Sequence, residues 1–281
     1  MSALTTIPEH REETGSAFPS ASSDRAASAA RILAVALPAV GALLLEIVWN
    51  EGREIALVSL IVAVAMAVEH RSGRVRWDAF FVAIVALVAL FVPLYLCNIR
   101  AFRSGIIGES DPAVYDAIAR TIADRAGLLH QLNPFSFEYA FDAAIENGLV
   151  LAAPGYSKVL GILYTIAGMV DLRPEWIGVA ANVTAVAVAA QLFATISAAL
   201  GAPHRRAIVW SVLFAVHPLT TDVAFILRKD ALILALFLFV ASRIITSAEL
   251  WIEVLGVVAM LPLRAAFAVT LALMVVTRHS V

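Results

Sequence analysis

The sequence predicts an all-α, polytopic membrane protein: about eight transmembrane helices, with one large folded outer loop that carries short surface helices. Three observations lead there. Hydrophobic residues make up 61% of the 281-residue chain and the mean hydropathy is +0.88, where a soluble domain is roughly 45–50% apolar. Several nearly uncharged runs approach the roughly 20 residues a helix needs to cross a hydrocarbon core of about 30 Å. The apolar pattern is then interrupted by one long polar segment, residues 99–155.

Residues 1–30 are rich in Ser, Ala, Thr, Glu and Arg and lack an apolar period, so a disordered cytoplasmic tail is expected there. Three N-terminal spans follow within 31–98. The first is "RILAVALPAVGALLLEIVWN" at about 31–50, the second "EIALVSLIVAVAMAVEH", the third "AFFVAIVALVALFVPLYLCN" at about 79–98. Pro38 and Pro93 lie inside spans, which bilayer helices tolerate when neighbours satisfy the freed carbonyls.

Residues 99–155 carry seven acids against four arginines, with helical periodicity and the aromatics Phe135, Phe137, Tyr139 and Phe141. That composition suits a folded domain on the membrane surface. The C-terminal region, 156–281, returns to apolar runs at about 157–171, 176–200, 207–227, 231–246 and 251–277. The last contains "LPLR" and reads as one kinked span or two short ones.

Arg71, Arg74 and Arg76 precede the third span, and arginine excess marks a cytoplasmic loop. The acidic 99–155 segment then faces outward, and the N-terminus is cytoplasmic. By the same counting "HRR" at 204–206 falls outside, against the rule. Either the 157–171 run does not fully cross, or those arginines serve the outer face.

The net charge of -2 and the lack of a basic stripe argue against nucleic acid as a partner. Cys97 is the sole cysteine, which excludes an intrachain disulfide; it reads as a small buried hydrophobe. No ligand set suggests a metal, no cofactor is expected, and oligomeric state is not legible.

Polar residues near spans are the functional candidates. Asp111-Pro112 is a helix-start signal, with Asp116 and Arg120 placed for an i, i+4 pair. Locally Asp111 reads as a cap. Arg228, Lys229 and Asp230 open the span "LRKDALILALFLF" and read either as interfacial anchors or as a phosphate clamp. Tyr156 and Lys158 follow the Pro154-Gly155 turn, where an aromatic and a cation are ordinary anchors. His217, Asp222 and Arg264 are ionisable groups within or near spans, hence candidates as well. Asn182 reads as an interhelical hydrogen bond.

In order, these motifs resemble integral-membrane glycosyltransferases of the GT-C type, in the protein mannosyltransferase and aminoarabinose transferase branches. "DPAVYDAIA" is similar to that family's D-E-x-x-Y-x-x-x-A motif at the start of the first outer loop, departing at Pro112, where the family has an acid. "APGYSKVLGILYTIAG", an Asn-bearing span, a basic junction and "LRKDALILALFLF" follow in the family's order, over about 108–246. At 281 residues the chain would be a compact, divergent or truncated member.

The resemblance implies transfer of a sugar from a polyprenyl-phosphate carrier in the bilayer to an acceptor hydroxyl, at the outer face of the plasma (inner) membrane. It implies Asp111 as catalytic base. Substrate contacts would come from Tyr115, Tyr156, Lys158, Arg228, Lys229 and Asp230, the cations lying on the departing phosphate. A repeat-unit polymerase, a transporter and a non-catalytic membrane protein are the other readings. The transporter reading requires two related halves with broken helices, and none is visible in the sequence.

Overall fold

The protein is described by a computed structural model covering residues 78–97, 111–133, 136–148, 154–246 and 249–280; Asp111, Glu175 and residues 91–97 are described by backbone alone. The expected tail at 1–30, the first two spans and the arginines at 71–76 lie outside these residues.

Every regular element among the described residues is an α-helix. The first, α1 (Asp78–Cys97), starts on an aspartate, whose charge suits a helix N-terminus. In the loop domain, α2 (Asp111–Arg125) begins on Asp111-Pro112 and ends on an arginine just before Gly127. Two short helices follow, α3 (Leu128–Gln131) and α4 (Glu138–Glu146). Ile118, Ile122 and Ala126 of α2 bury themselves against Ala140, Ala143 and Ala144 of α4, so the loop domain has its own small core. The expectation of a folded loop with short helices is met over the described part.

The C-terminal part comprises α5 (Pro154–Met169), α6 (Pro174–Ala199), α7 (His204–Ala215), α8 (Pro218–Phe225), α9 (Asp230–Ile245), α10 (Leu250–Met260) and α11 (Ala265–Ser280). Of these α6 is the axis, and α1, α5, α7, α8 and α9 all pack on it.

Small residues let the neighbours approach. A Cβ on Gly178 would lie 2.6 Å from Leu227 and 3.1 Å from Leu160. On Gly161 it would lie 2.7 Å from Ile122, which sets the close crossing of α5 with α2.

Side-chain contacts order the bundle from end to end. Tyr156 bonds Asn182, while Leu160 and Tyr164 lie against Gly178. Helix α5 therefore runs antiparallel to only the first part of α6, and α6 continues about 25 Å past Asn182 at 1.5 Å per residue. At the far end of α6, Gln191 accepts from the Phe80 N–H, Ala194 packs with Ala79 and Ala207, and His204 meets Asp78 at 3.2 Å.

This geometry bears on two sequence readings. The 157–171 run lies along the first part of α6, Tyr156 at Asn182 and Leu160 and Tyr164 at Gly178, and not along its Ala194 end. The "HRR" at 204–206 shares an end of the bundle with Asp78.

The 207–227 run is broken at His217-Pro218, where α7 and α8 bend by 62°. Proline removes an amide donor and its ring collides with the preceding turn. His217 caps α8, its Nδ1 accepting from the Leu219 N–H at 3.3 Å. The 251–277 run is two helices, separated at "LPLR".

Within α6, Trp176–Ala199 is long and apolar enough to cross a membrane, and the bent α7–α8 pair together passes the same test. By length and composition these are the membrane-crossing candidates among the described residues, and eight crossings are not supported by them. The outward faces of α7, α10 and α11 are also apolar: Trp210, Trp251, Leu255 and Leu273 are all about 60% exposed.

The close crossing of α5 and α2 is testable. Gly161→Val is expected to lower stability by about 1–3 kcal/mol through overpacking, read as a thermal midpoint in detergent. Adding Ile122→Ala should recover part of the loss, as coupled neighbours do.

Candidate functional site

Where α8 ends, the chain does not pass directly into α9. Ile226 is extended, at φ -117° and ψ 151°, and Leu227 is fully buried against Gly178. A non-helical stretch in apolar surroundings leaves carbonyls that need donors. Asn182 supplies them, its Nδ2 donating to the Ile226 carbonyl at 2.6 Å and the Arg228 carbonyl at 3.2 Å. The Asn182 Oδ1 accepts from the Tyr156 hydroxyl at 3.2 Å. The asparagine is thus the interhelical bond the sequence suggested, and it shapes the break that presents Arg228, Lys229 and Asp230.

Each of those three charges reaches a different element. Arg228 donates to Asp222 of α8 at 2.8 Å. Asp230 pairs with Arg264, just before α11, at 3.7 Å. The Lys229 ammonium lies 5.7 Å from the centroid of the Tyr115 ring of α2, a cation–π arrangement. Tyr115 in turn meets Tyr156 edge-on, ring centroids 5.1 Å apart. Among the described residues Lys229 has no carboxylate partner.

This brings Tyr115, Tyr156, Arg228, Lys229 and Asp230 to one end of the bundle, with Asp222 and Arg264. Asp111 is the first residue of α2, one helical turn before Tyr115. The α2 N-terminus therefore adjoins the α9 N-terminus.

Lys158 does not join this group. Two residues beyond Tyr156 on α5, it faces away and is only 8% exposed. Its ammonium donates to the carbonyls of Asn133 and, at 2.6 Å, Ser136, and lies 4.6 Å from the Phe137 ring centroid. Lys158 ties Asn133, Ser136 and Phe137 to α5.

A groove of about 330 Å³ opens beside the cluster, between α5, α9 and the 261–263 turn. Val159, Ile162, Leu232, Leu236 and Leu263 supply apolar walls, with Lys158 and Gln131 as its polar lining. Gln131 is 3% exposed, and its Oε1 lacks a hydrogen-bond partner. The Gly155 N–H donates to the Pro262 carbonyl at 3.1 Å, and a Cβ on Gly155 would lie 2.9 Å from that oxygen, so the groove's end is closed by direct backbone contact.

The Asp116–Arg120 pair forms as its spacing indicates, at 2.9 Å. Asp116 is also bonded by the Tyr164 hydroxyl at 2.7 Å, which fastens α2 to α5 and so holds Tyr115 beside Tyr156. Sequence reasoning passed over Tyr164; no local signal marks it. It also passed over Glu253, which is fully buried and paired with Arg278 and, at 3.1 Å, His279. An acid inside an apolar run was the available signal. Among the described residues no three His, Cys, Asp or Glu side chains gather as a metal site.

Asn182→Leu should destabilise the fold by roughly 2 kcal/mol, because the Arg228 carbonyl loses its donor and the Ile226 carbonyl keeps only the Arg228 N–H, while Tyr156→Phe should cost about 1 kcal/mol; denaturation of both variants compares them. Equal costs would show that the break does not depend on the asparagine. No protein-family model, curated protein or solved structure matches this chain.

Proposed function

We propose that this chain is a multi-pass glycosyltransferase of the plasma membrane, with its N-terminus cytoplasmic. It moves a sugar from a polyprenyl-phosphate carrier to an acceptor hydroxyl at the outer face. The observation that carries this reading is the meeting of the α2 and α9 N-termini, with Lys229 over Tyr115 one turn from Asp111. A carboxylate-bearing turn beside a cation-bearing turn is what such a transfer requires.

The step itself is a displacement at the anomeric carbon. The acceptor oxygen forms a bond to that carbon as the carbon–phosphate oxygen bond breaks. Asp111 takes the hydroxyl proton, and the carrier phosphate leaves with the bonding electron pair. Lys229, free of a carboxylate partner among the described residues, is the cation to meet that phosphate. Arg228 and Arg264 reach it by exchanging Asp222 and Asp230 for phosphate oxygens, which accept strongly from guanidinium. Tyr115 and Tyr156 form the aromatic wall. The apolar groove beside Gly155 suits the first part of a hydrocarbon chain.

The polytopic reading belongs to the same proposal, altered in two places: α5, counted as a crossing from the sequence, lies along the first part of α6, and the 251–277 run is the α10–α11 pair. A polymerase shares every one of these features and is separated from a transferase only by its acceptor. Among the described residues no paired broken helices favour a transporter.

Asp111→Asn is expected to lower transfer by roughly 100- to 10,000-fold in an in vitro assay with polyprenyl-phosphate sugars, while membrane insertion is unchanged. Lys229→Met should lower kcat/KM by at least about tenfold through the lost phosphate contact. Full activity in the Asp111 variant would remove the base assignment.

A further inference from the structure

The end of the bundle opposite the site carries a second set of charges that the proposed reaction does not use. His204, Arg205 and Arg206 open α7 and are exposed. His204 meets Asp78, and Arg74 and Arg76 stand four and two residues before Asp78 in the chain. Helices α9 and α11 both end here, with Arg243, Arg278 and His279 in their last turns. Arg278 donates to the Arg243 carbonyl at 3.4 Å, tying the two ends together.

The acids of this end are mostly occupied. Glu253 is fully buried between Arg278 and His279. Asp78 faces His204, and Glu249 accepts from the Trp251 indole N–H. Among the described residues Arg205 and Arg206 have no carboxylate partner. They sit in the first turn of a helix, where the macrodipole disfavours cations, so their placement is not explained by local stability.

Two tryptophans complete the arrangement. Trp210 lies one turn beyond Arg206 and is 59% exposed, and Trp251 at the start of α10 is 62% exposed. Below them the outward faces are apolar, with Leu213 and Leu255 both more than half exposed. Tryptophan above an apolar face and beneath a ring of arginines is the order of a membrane–water boundary.

We infer that this end is an interface for anionic phospholipid headgroups of the cytoplasmic leaflet, with Arg205 and Arg206 as its principal phosphate contacts. Charge complementarity selects the occupant: the unpaired groups are guanidiniums, and they lie at headgroup height over an apolar face. Arginine clusters next to a span are drawn to anionic lipid by about 1 kcal/mol each. A zwitterionic headgroup offers no net charge to match. The inference rests on the membrane topology proposed above but not on the transfer chemistry.

The test uses the full chain in detergent, titrated with phosphatidylglycerol or phosphatidylcholine while the thermal midpoint is followed. Phosphatidylglycerol is expected to raise the midpoint more than phosphatidylcholine, and less so at high salt. Arg205→Gln with Arg206→Gln should weaken the apparent phosphatidylglycerol affinity by roughly 25-fold, while Arg125→Gln in the loop domain leaves it unchanged. Equal stabilisation by both lipids, or an unaffected double variant, would overturn the inference. A second readout covers failure to fold. In a Cys97→Ser background, Arg205→Cys should react with an impermeant maleimide only after cells are opened, and Leu129→Cys should react in intact cells. Labelling of the 205 position in intact cells would place that end outside and overturn the inference too.

Discussion

The buried amide of Asn182 is the interaction on which the rest depends. A chain that leaves α8 and re-enters as α9 turns two part-buried carbonyls out of the helical ladder, of which Ile226 also accepts from the Arg228 N–H, and an unsatisfied buried group costs of order 1–3 kcal/mol. One side chain satisfies both and also accepts from Tyr156. Without that amide, a continuous helix through 226–229 would be the cheaper arrangement. Arg228, Lys229 and Asp230 would then project at helical spacing on successive faces of one rod. The break is what lets them reach three different elements.

Around that point the structure divides by end. The site end holds Tyr115, Tyr156, Lys229 and the Arg228–Asp222 and Arg264–Asp230 pairs, next to an apolar groove. The opposite end gathers arginines and exposed tryptophans. The two are separated by α6, whose length past Asn182 is close to the thickness of a hydrocarbon core. Helix α5 does not span that distance. Its Gly161 and Tyr164 hold it to α2 instead, so it belongs with the loop domain as much as with the bundle.

Some features were legible because they are local. Asp111-Pro112 starts a helix and Asp116 and Arg120 pair one turn apart, both from forces acting within a few residues. The asparagine in an apolar helix announced a hydrogen bond, since little else satisfies an amide there. Lys158 shows the limit. As a cation near a membrane boundary it had the same local signature as Lys229, yet it is spent on backbone carbonyls of the 133–137 loop. The difference lies in two residues of helical phase and in where a distant loop lands.

Composition and periodicity alone thus determined that the chain is helical and apolar, where its helices start, and which few polar residues stand near apolar runs. Tertiary structure decided which of those residues meet. It also decided which part of α6 the α5 helix packs on and the end of the bundle at which the 204–206 cations lie. The physical reason is that a hydrophobic run reports burial but not its partner. An apolar segment of 16 residues is satisfied equally by crossing a bilayer or by turning back along a neighbour. That choice was made by contacts far apart in the chain: Gly155 on Pro262, Gly161 on Ile122, and Tyr156 on Asn182.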